Sequence, residues 1–422
     1  MPLLVVIGYV WPEPASSAAG SRMLSLITLF QQQGWQVIFA SAAEKSPHRF
    51  DLLGIGVAEQ SIALNCDSFQ QWLQSAAPQA VMFDRFMLEE QFGWRVAEAC
   101  PDALRMLDME DIHALRHARH ETVKAGRAIV ASEVATDQLN NELAFREVAA
   151  IYRCDVTLVI SDFEMQLLQQ HYQIPAALLC YCPFWQRGPK TPVPGFAERS
   201  HFISIGNFRH APNWQAVLWL KQQIWPLIRK QLPQAELHIY GAYPPPKATA
   251  LHNAREGFLV KGWAEDAVAV MQQARLCLAP LQFGAGLKGK LLEAMQCGTP
   301  SITTTIGAEG MNLVGSNART CGWAGEVADT AESIAAAAIA LYQDPRAWQN
   351  AQQRGYAILA KRFAEDQAAI VWQQLSQLLN ESVTARESRR QGNFTGQMLQ
   401  SHAYRSTRYM GQWIEAKNRN QP

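Results

Sequence analysis

Short apolar runs rich in β-branched residues alternate along this chain with longer stretches of helical period. In the first half the runs are LLVVIGYV, WQVIFAS, AVMFDR, LRMLDME and VTLVISD, with SRMLSLITLFQQQG and FEMQLLQQHYQI among the helical segments between them. Such alternation predicts a parallel sheet with helices on both faces. The pattern then repeats, with HFISIGNF, AELHIYGA, GFLVKGW, RLCLAPLQ and PSITTT as strands and NWQAVLWLKQQIWPLIRKQ and EDAVAVMQQA as helices.

Between the two series, CPFWQRGPKTPVPGF (residues 182–196) holds four prolines and two glycines without apolar periodicity, the character of a linker. The fold class expected is therefore α/β, two Rossmann-like doubly wound domains facing a cleft, with residues 1–195 as the first domain and 196–365 as the second. Helical period continues through TAESIAAAAIALYQD and PRAWQNAQQRGYAILAKRF to EDQAAIVWQQLSQLLN. Residues 381–422 turn polar, with seven Lys/Arg against three Glu and with Tyr404, Tyr409 and Trp413 interspersed, which predicts an exposed, poorly ordered basic tail.

Composition narrows the function classes. At 422 residues the chain is long enough for two or three domains, and 37 basic residues balance 37 acidic ones, so no global field recruits nucleic acid. The eight cysteines form no C-x-x-C pair and lie mostly in apolar runs, consistent with buried thiols and a cytosolic location. The start, MPLLVVIGYVWPEP, lacks a basic region before its apolar run and reads as a first strand rather than a signal peptide. No clustered His/Cys set indicates a metal.

The most informative stretch is FGAGLKGKLLEAMQCGTP, residues 283–300. A strand, then Gly284 and Gly286, then a helix brings backbone N–H groups and a positive dipole end to the sheet's C-terminal edge, which makes an anion site. Lys288 and Lys290 in a first helical turn oppose the dipole unless an anion sits there. At about 100° per residue Lys290 and Glu293 share a face, while Leu291 and Ala294 lie on another. A carboxylate one turn below a phosphate site can accept hydrogen bonds from the vicinal hydroxyls of a ribose.

PLQFGAGLKGKLLEAMQCGTPSITTTIGAEGM resembles the donor-binding segment of family-4 glycosyltransferases of the GT-B fold, the glycosyl transferases group 1. FISIGNFRHAPNWQAVLWLKQQIWPLIRKQLPQAELHIYGA is similar to the family's opening unit of the C-terminal domain, and the likeness spans roughly residues 200–375. The resemblance implies that Glu293 holds the ribose and that Gly284, Gly286, Lys288 and Lys290 hold the diphosphate. Arg209, at another strand's C-terminal edge, is a further diphosphate candidate. Many family members carry another glutamate eight residues before the one at Glu293; here that position is Ala285. The family also implies that residues 366–380 cross back to the first domain.

In the first half, PASSAAGSRML places Gly20 where the backbone can approach the donor, and Ser21 where it caps the following helix. LDMEDIHALRHARHE is the densest polar cluster. Asp108, Asp111 and His113 follow a strand, and a carboxylate or imidazole there can orient or deprotonate an acceptor hydroxyl. Ser161-Asp162-Phe163-Glu164 has the spacing of a capping box and needs no further role.

These readings converge on a cytosolic transferase that takes a nucleoside diphosphate sugar as co-substrate, with no other cofactor. Its partner is a glycan, lipid-linked or small-molecule acceptor, and the tail is a candidate contact for a protein or the inner membrane surface. The alternatives are a non-catalytic nucleotide-sugar-binding partner and a nucleotide-sugar epimerase of similar fold. A dehydrogenase fits least, because neither GYVWPEPASSAAG nor GNFRHAPN shows G-x-G-x-x-G.

Overall fold

The computed structural model describes residues 1–127, 136–186, 188–312 and 322–419. Strands β1 (Leu3–Gly8), β2 (Gln36–Ser41), β3 (Ala58–Ser61), β4 (Ala80–Asp84), β5 (Leu104–Asp108), β6 (Val156–Val159) and β7 (Leu179–Tyr181) form one sheet in the order 3-2-1-4-5-6-7. Strands β8 (His201–Ile205), β9 (Leu237–Tyr240), β10 (Phe258–Gly262), β11 (Ala274–Ala279), β12 (Ser301–Thr303) and β13 (Gly325–Val327) form the second, in the order 10-9-8-11-12-13. Every named pairing is parallel.

Helices on both faces explain the continuous apolar runs, since a parallel strand buried on two sides has no polar face. Leu4, Val5, Val6 and Ile7 of β1 are all fully buried, two of them in each of the cores on the sheet's two sides. In both sheets the order reverses beside the first strand of the unit, which opens a crevice at the strands' C-terminal edges. The helical segment 211–231 is not uniform: Ala211–Trp219 passes through a π turn, Leu220–Ile224, into Trp225–Gln231. Pro226, which lacks an N–H, stands at the start of the last piece, where the i to i−4 ladder has already shifted.

After the second sheet, the helix Gln367–Leu379 returns to the first one. Val371 and Leu375 are buried in the core that holds Leu4 and Val6. Trp372 meets Phe30 edge-on at 5.3 Å. Full burial of two such aliphatic side chains contributes about 1.5–3 kcal/mol each.

The tail departs from the expectation of a loose terminus. Val383–Gly392 and Phe394–Arg419 are helices lying against the first domain. Arg390 donates to both carboxylate oxygens of Asp155 (2.8 and 2.6 Å), and Asn393 donates to the Tyr152 carbonyl (2.8 Å). Glu415 accepts from the Asp67 N–H at 2.8 Å. Basic residues that look solvated in the sequence are thus neutralised by carboxylates more than two hundred positions away. Tyr409 and Trp413 stay exposed, and the side chain of Tyr404 lies outside the described residues. Among the described residues no helix is long and apolar enough to cross a membrane.

Candidate functional site

The C-terminal edges of the two sheets meet, and the contacts between them are both apolar, with Ile160 and Phe184 packed in one cluster with Leu287 and Met311, and polar. Arg119, on the first domain's helix His113–Lys124, donates to the Gly284 carbonyl (2.8 Å) and to both oxygens of Glu309 (2.8 and 2.7 Å). His120 stacks on Phe283 at 4.4 Å. Tyr243 donates to Glu13 at 2.9 Å, and Arg362 to Asp162 at 2.6 Å.

The glycine turn sits at the centre of this interface. Gly286 has φ +63°, and a Cβ there would stand 2.9 Å from the Asp111 Cβ, so both conformation and space require glycine. Its N–H donates to Glu164 Oε1 at 2.8 Å, and the same oxygen accepts from the Ile112 N–H at 3.0 Å. Glu164 is fully buried and its Oε2 finds no hydrogen-bond partner. Burial, reinforced by the charge of Asp111, pushes its carboxyl up to about 7.

Glu164 therefore does what the sequence reading did not assign to it. Ser161 caps the helix Asp162–Gln170 by accepting from the Glu164 N–H, but the glutamate side chain reaches across the interface instead of back to the cap. The anion position of the turn is filled by a carboxylate from the other domain. Lys288 likewise turns inward, donating to the Gly286 carbonyl at 2.6 Å. Burial lowers the pKa of its ammonium against the attraction of Glu309. In this closed arrangement the Gly286 N–H and the Lys288 ammonium are engaged within the protein rather than open to a ligand, while the Gly284 carbonyl accepts from Arg119. Ala285 packs against the first domain's core.

Lys290 and Glu293 behave differently. The helix Gly289–Gln296 buries Leu291, Leu292, Ala294 and Met295 and leaves these two half-buried. Lys290 donates to Asn213 Oδ1 at 2.6 Å, and a Cβ on Gly206 would come within 2.7 Å of its Nζ. Glycine after β8 leaves that ammonium room where it stands. Burial pushes the Lys290 pKa down to about 8. Glu293 takes no hydrogen bond among the described residues, and burial raises its carboxyl despite the opposing charge of Lys190.

A cavity between the domains is lined by Ser16, Asn207, Gly241, Trp263 and the Gly206 that adjoins Lys290. Trp263 is stacked on His48 at 4.2 Å. Arg209 is exposed, lies over the Tyr243 ring at 3.6 Å from its centroid and has no carboxylate partner among the described residues. Lys290, Glu293 and Arg209 thus belong to the part of the second sheet's edge that keeps unneutralised or unpartnered groups.

The first-domain candidates divide sharply. Asp108 is fully buried and receives Arg22 Nε and Nη2 at 3.0 and 2.8 Å on one oxygen, while Arg22 Nη1 donates to the Cys182 carbonyl. That carboxylate is consumed by an internal ion pair and is no candidate base. At Gly20 the space beside the backbone is taken by the chain itself, since a Cβ there would stand 2.5 Å from the Glu13 carbonyl carbon, and its N–H donates to Ser17 Oγ at 3.1 Å. Ser17, not Ser21, is the cap, and the Ser21 hydroxyl donates to the Pro14 carbonyl.

Asp111 and His113 do come together, with His113 Nε2 at 3.3 Å from Asp111 Oδ1 and Arg116 paired to the other oxygen. Burial alone would raise the Asp111 carboxyl, but Arg116 and the hydrogen bond from His113 hold it well below the usual carboxylate range. Next to them stands Glu110, in the left-handed region at φ +64°. Burial and the charge of Asp108 push its carboxyl up to about 8. A non-glycine residue held there at the end of a strand marks strain that the surrounding structure sustains. The sequence gives no local signal for it. Among the described residues no three His, Cys, Asp or Glu side chains gather as metal ligands would.

Residues 199–344 match the family model described as Glycosyl transferases group 1. No curated protein matches the chain. Among solved structures it is similar to sucrose-phosphate synthase from Thermosynechococcus elongatus, with TM-score 0.65 and 16% identity over 90% of this chain and 100% of that one. It is similar to the pneumococcal O-GlcNAc transferase GtfA in complex with UDP and GlcNAc, with TM-score 0.66 and 12% identity over 90% and 99%. It is similar also to Anabaena HepE in complex with UDP and glucose, with TM-score 0.64 and 12% identity over 90% and 99%. The chain has the GT-B fold, and its residues 199–344 match the model of the glycosyl transferases group 1.

Proposed function

We propose that this protein is a glycosyltransferase that moves a sugar from a nucleoside diphosphate to an acceptor hydroxyl with retention of configuration, in glycan, glycolipid or polysaccharide synthesis. The observation that carries the reading is the pair Lys290 and Glu293, both half-buried on one helix face, the first fitted against Gly206 and the second without a hydrogen bond. Residues 1–195 are the acceptor domain and 196–365 the donor domain in this reading. Glu293 accepts from the ribose hydroxyls, and Lys290 with Arg209 holds the diphosphate. Gly284, Gly286 and Lys288 join them only when the domains part and Glu164 leaves the Gly286 N–H.

On the face from which the diphosphate departs, the acceptor oxygen forms the new bond to the anomeric carbon as the bond to the diphosphate oxygen breaks, and the acceptor's proton passes to that leaving oxygen. Charge grows on that leaving oxygen, and the Lys290 ammonium stabilises it there. His113, oriented by Asp111, and Glu110 lie on the acceptor side, where they position the attacking hydroxyl. The solved complexes of similar fold contain UDP, so uridine donors are the first choice.

Purified protein incubated with UDP-sugars and a panel of glycan, lipid-linked and small-molecule acceptors should release UDP and form a glycoside. A changed sugar without acceptor would make it an epimerase. Absence of donor turnover with every nucleoside diphosphate sugar would contradict catalysis.

A further inference from the structure

A second cavity lies at the opposite edge of the first sheet from the cleft. Arg105 is the second residue of β5 and Asp155 immediately precedes β6, whereas the cleft residues follow the strands' far ends. From Arg105 to Asp108 the separation is about 10 Å at 3.3 Å per residue. The C-terminal helices close this cavity, with Arg389, Arg390, Asn393, Gln397 and Gln400 among its lining.

Arg105 is 6% exposed, and its Nε and Nη1 have no hydrogen-bond partner. The Asp155 Oδ2 lies 4.0 Å from Nε, beyond hydrogen-bond reach. Asp155 is already committed: it accepts from the Arg105 backbone N–H and from Arg389 and Arg390. Burial would raise its carboxyl, but the hydrogen bond from Arg390 and the charge of Arg105 hold it down at about 2, so it contributes one full negative charge. Arg389 has Glu381 and Arg153 has Glu89, which leaves Arg105 and Arg390 to share Asp155. One cation is in surplus, and the unmet donors are those of Arg105. A buried guanidinium with unmet donors calls for an acceptor, and a planar fork of N–H groups fits a tetrahedral oxyanion.

The cavity volume is about 60 Å³, room for several waters or one such ion. We propose that it binds a free phosphate-type oxyanion, with Arg105 as principal ligand, and that the ion clips the two C-terminal helices to the first domain. Arg389 and Arg390 come from the first of those helices and Gln397 and Gln400 from the second, so an ion here touches sheet and tail at once.

The test is thermal unfolding of the full chain and amide exchange over residues 383–419 in rising inorganic phosphate, with chloride at matched ionic strength as control. The expected result is a saturable rise in unfolding temperature at millimolar phosphate and slower exchange in both helices. General salt exclusion would give a linear rise instead and contradict the site. Arg105→Gln should abolish the saturable part. Should it fail to fold, Gln397→Glu provides the same test, because this exposed residue at the cavity's lining places a negative charge against the ion and should weaken it about tenfold. A saturable response unchanged in both variants, or no response to phosphate beyond chloride, overturns the proposal. Arg105-dependent binding to vesicles of anionic phospholipid without a response to free phosphate would overturn the free ion as occupant.

Discussion

At the edge of the first sheet, Asp108 is fully buried and bound on one oxygen by two nitrogens of Arg22. At the edge of the second, Lys290 keeps a charge with only an amide oxygen for company, and Glu293 takes no hydrogen bond among the described residues. Both sets lie near strand ends in doubly wound sheets, where ligands bind. What separates them is satisfaction. A buried charge with a complete set of partners is scaffold, and a half-buried charge lacking one is available to a ligand.

The largest effect should come from breaking the first arrangement. Asp108→Ala leaves the Arg22 guanidinium buried without its carboxylate, and loss of one partner of such a pair destabilises by about 3–5 kcal/mol. Denaturant unfolding of the variant measures this. A loss under about 1 kcal/mol with abolished transfer would return Asp108 to the catalytic group.

A smaller effect should come from pH at the second arrangement. The Lys290 ammonium is charged below its pKa of about 8 and neutral above it. Diphosphate affinity should therefore fall as pH rises through 8, by roughly tenfold near pH 9, where about one molecule in ten keeps the charge in the free protein. Lys290→Ala should flatten that profile, measured by calorimetric titration, whereas an unchanged slope would place the titrating group elsewhere.

A further effect, on stability, should come from the carboxylate between the two regions. Glu164 has a folded pKa of about 7 against an ordinary 4.5, so the folded state holds its proton more tightly than the unfolded state does. Stability contributed by this group is then greatest at low pH, declines from about 4.5 to 7 and is level above. Glu164→Gln keeps an oxygen for the Gly286 N–H and removes the titration, so its stability should decline less across that window. Equal declines in both proteins would show that another group carries the pH dependence.

Much of this architecture is legible in the residue pattern, because strands buried on both faces write themselves as apolar runs. β1, β4 and β11 are clear for that reason. β3 is not: its AEQS residues are exposed or half-buried, and only the neighbouring strand defines it. The Lys290 and Glu293 pair was legible because both lie in one helical turn and their spacing alone sets their face. The fate of Asp108 depends on Arg22, eighty-six residues away, and Glu164 meets Gly286 across one hundred and twenty-two. No local pattern encodes either contact. The same holds for the tail, whose arginines read as solvated until Asp155 is brought beside them.

The claim that the Gly289–Gln296 helix cradles the donor is tested most directly by titrating uridine and UDP into the parent protein, Glu293→Gln and Lys290→Ala. Glu293→Gln should weaken nucleoside and diphosphate together, by about ten- to a hundredfold if the charged hydrogen bond is worth roughly 1.5–3 kcal/mol. Lys290→Ala should weaken UDP by a similar order and leave uridine unchanged. Parent-like binding of both ligands by both variants, with folding intact, would contradict the assignment.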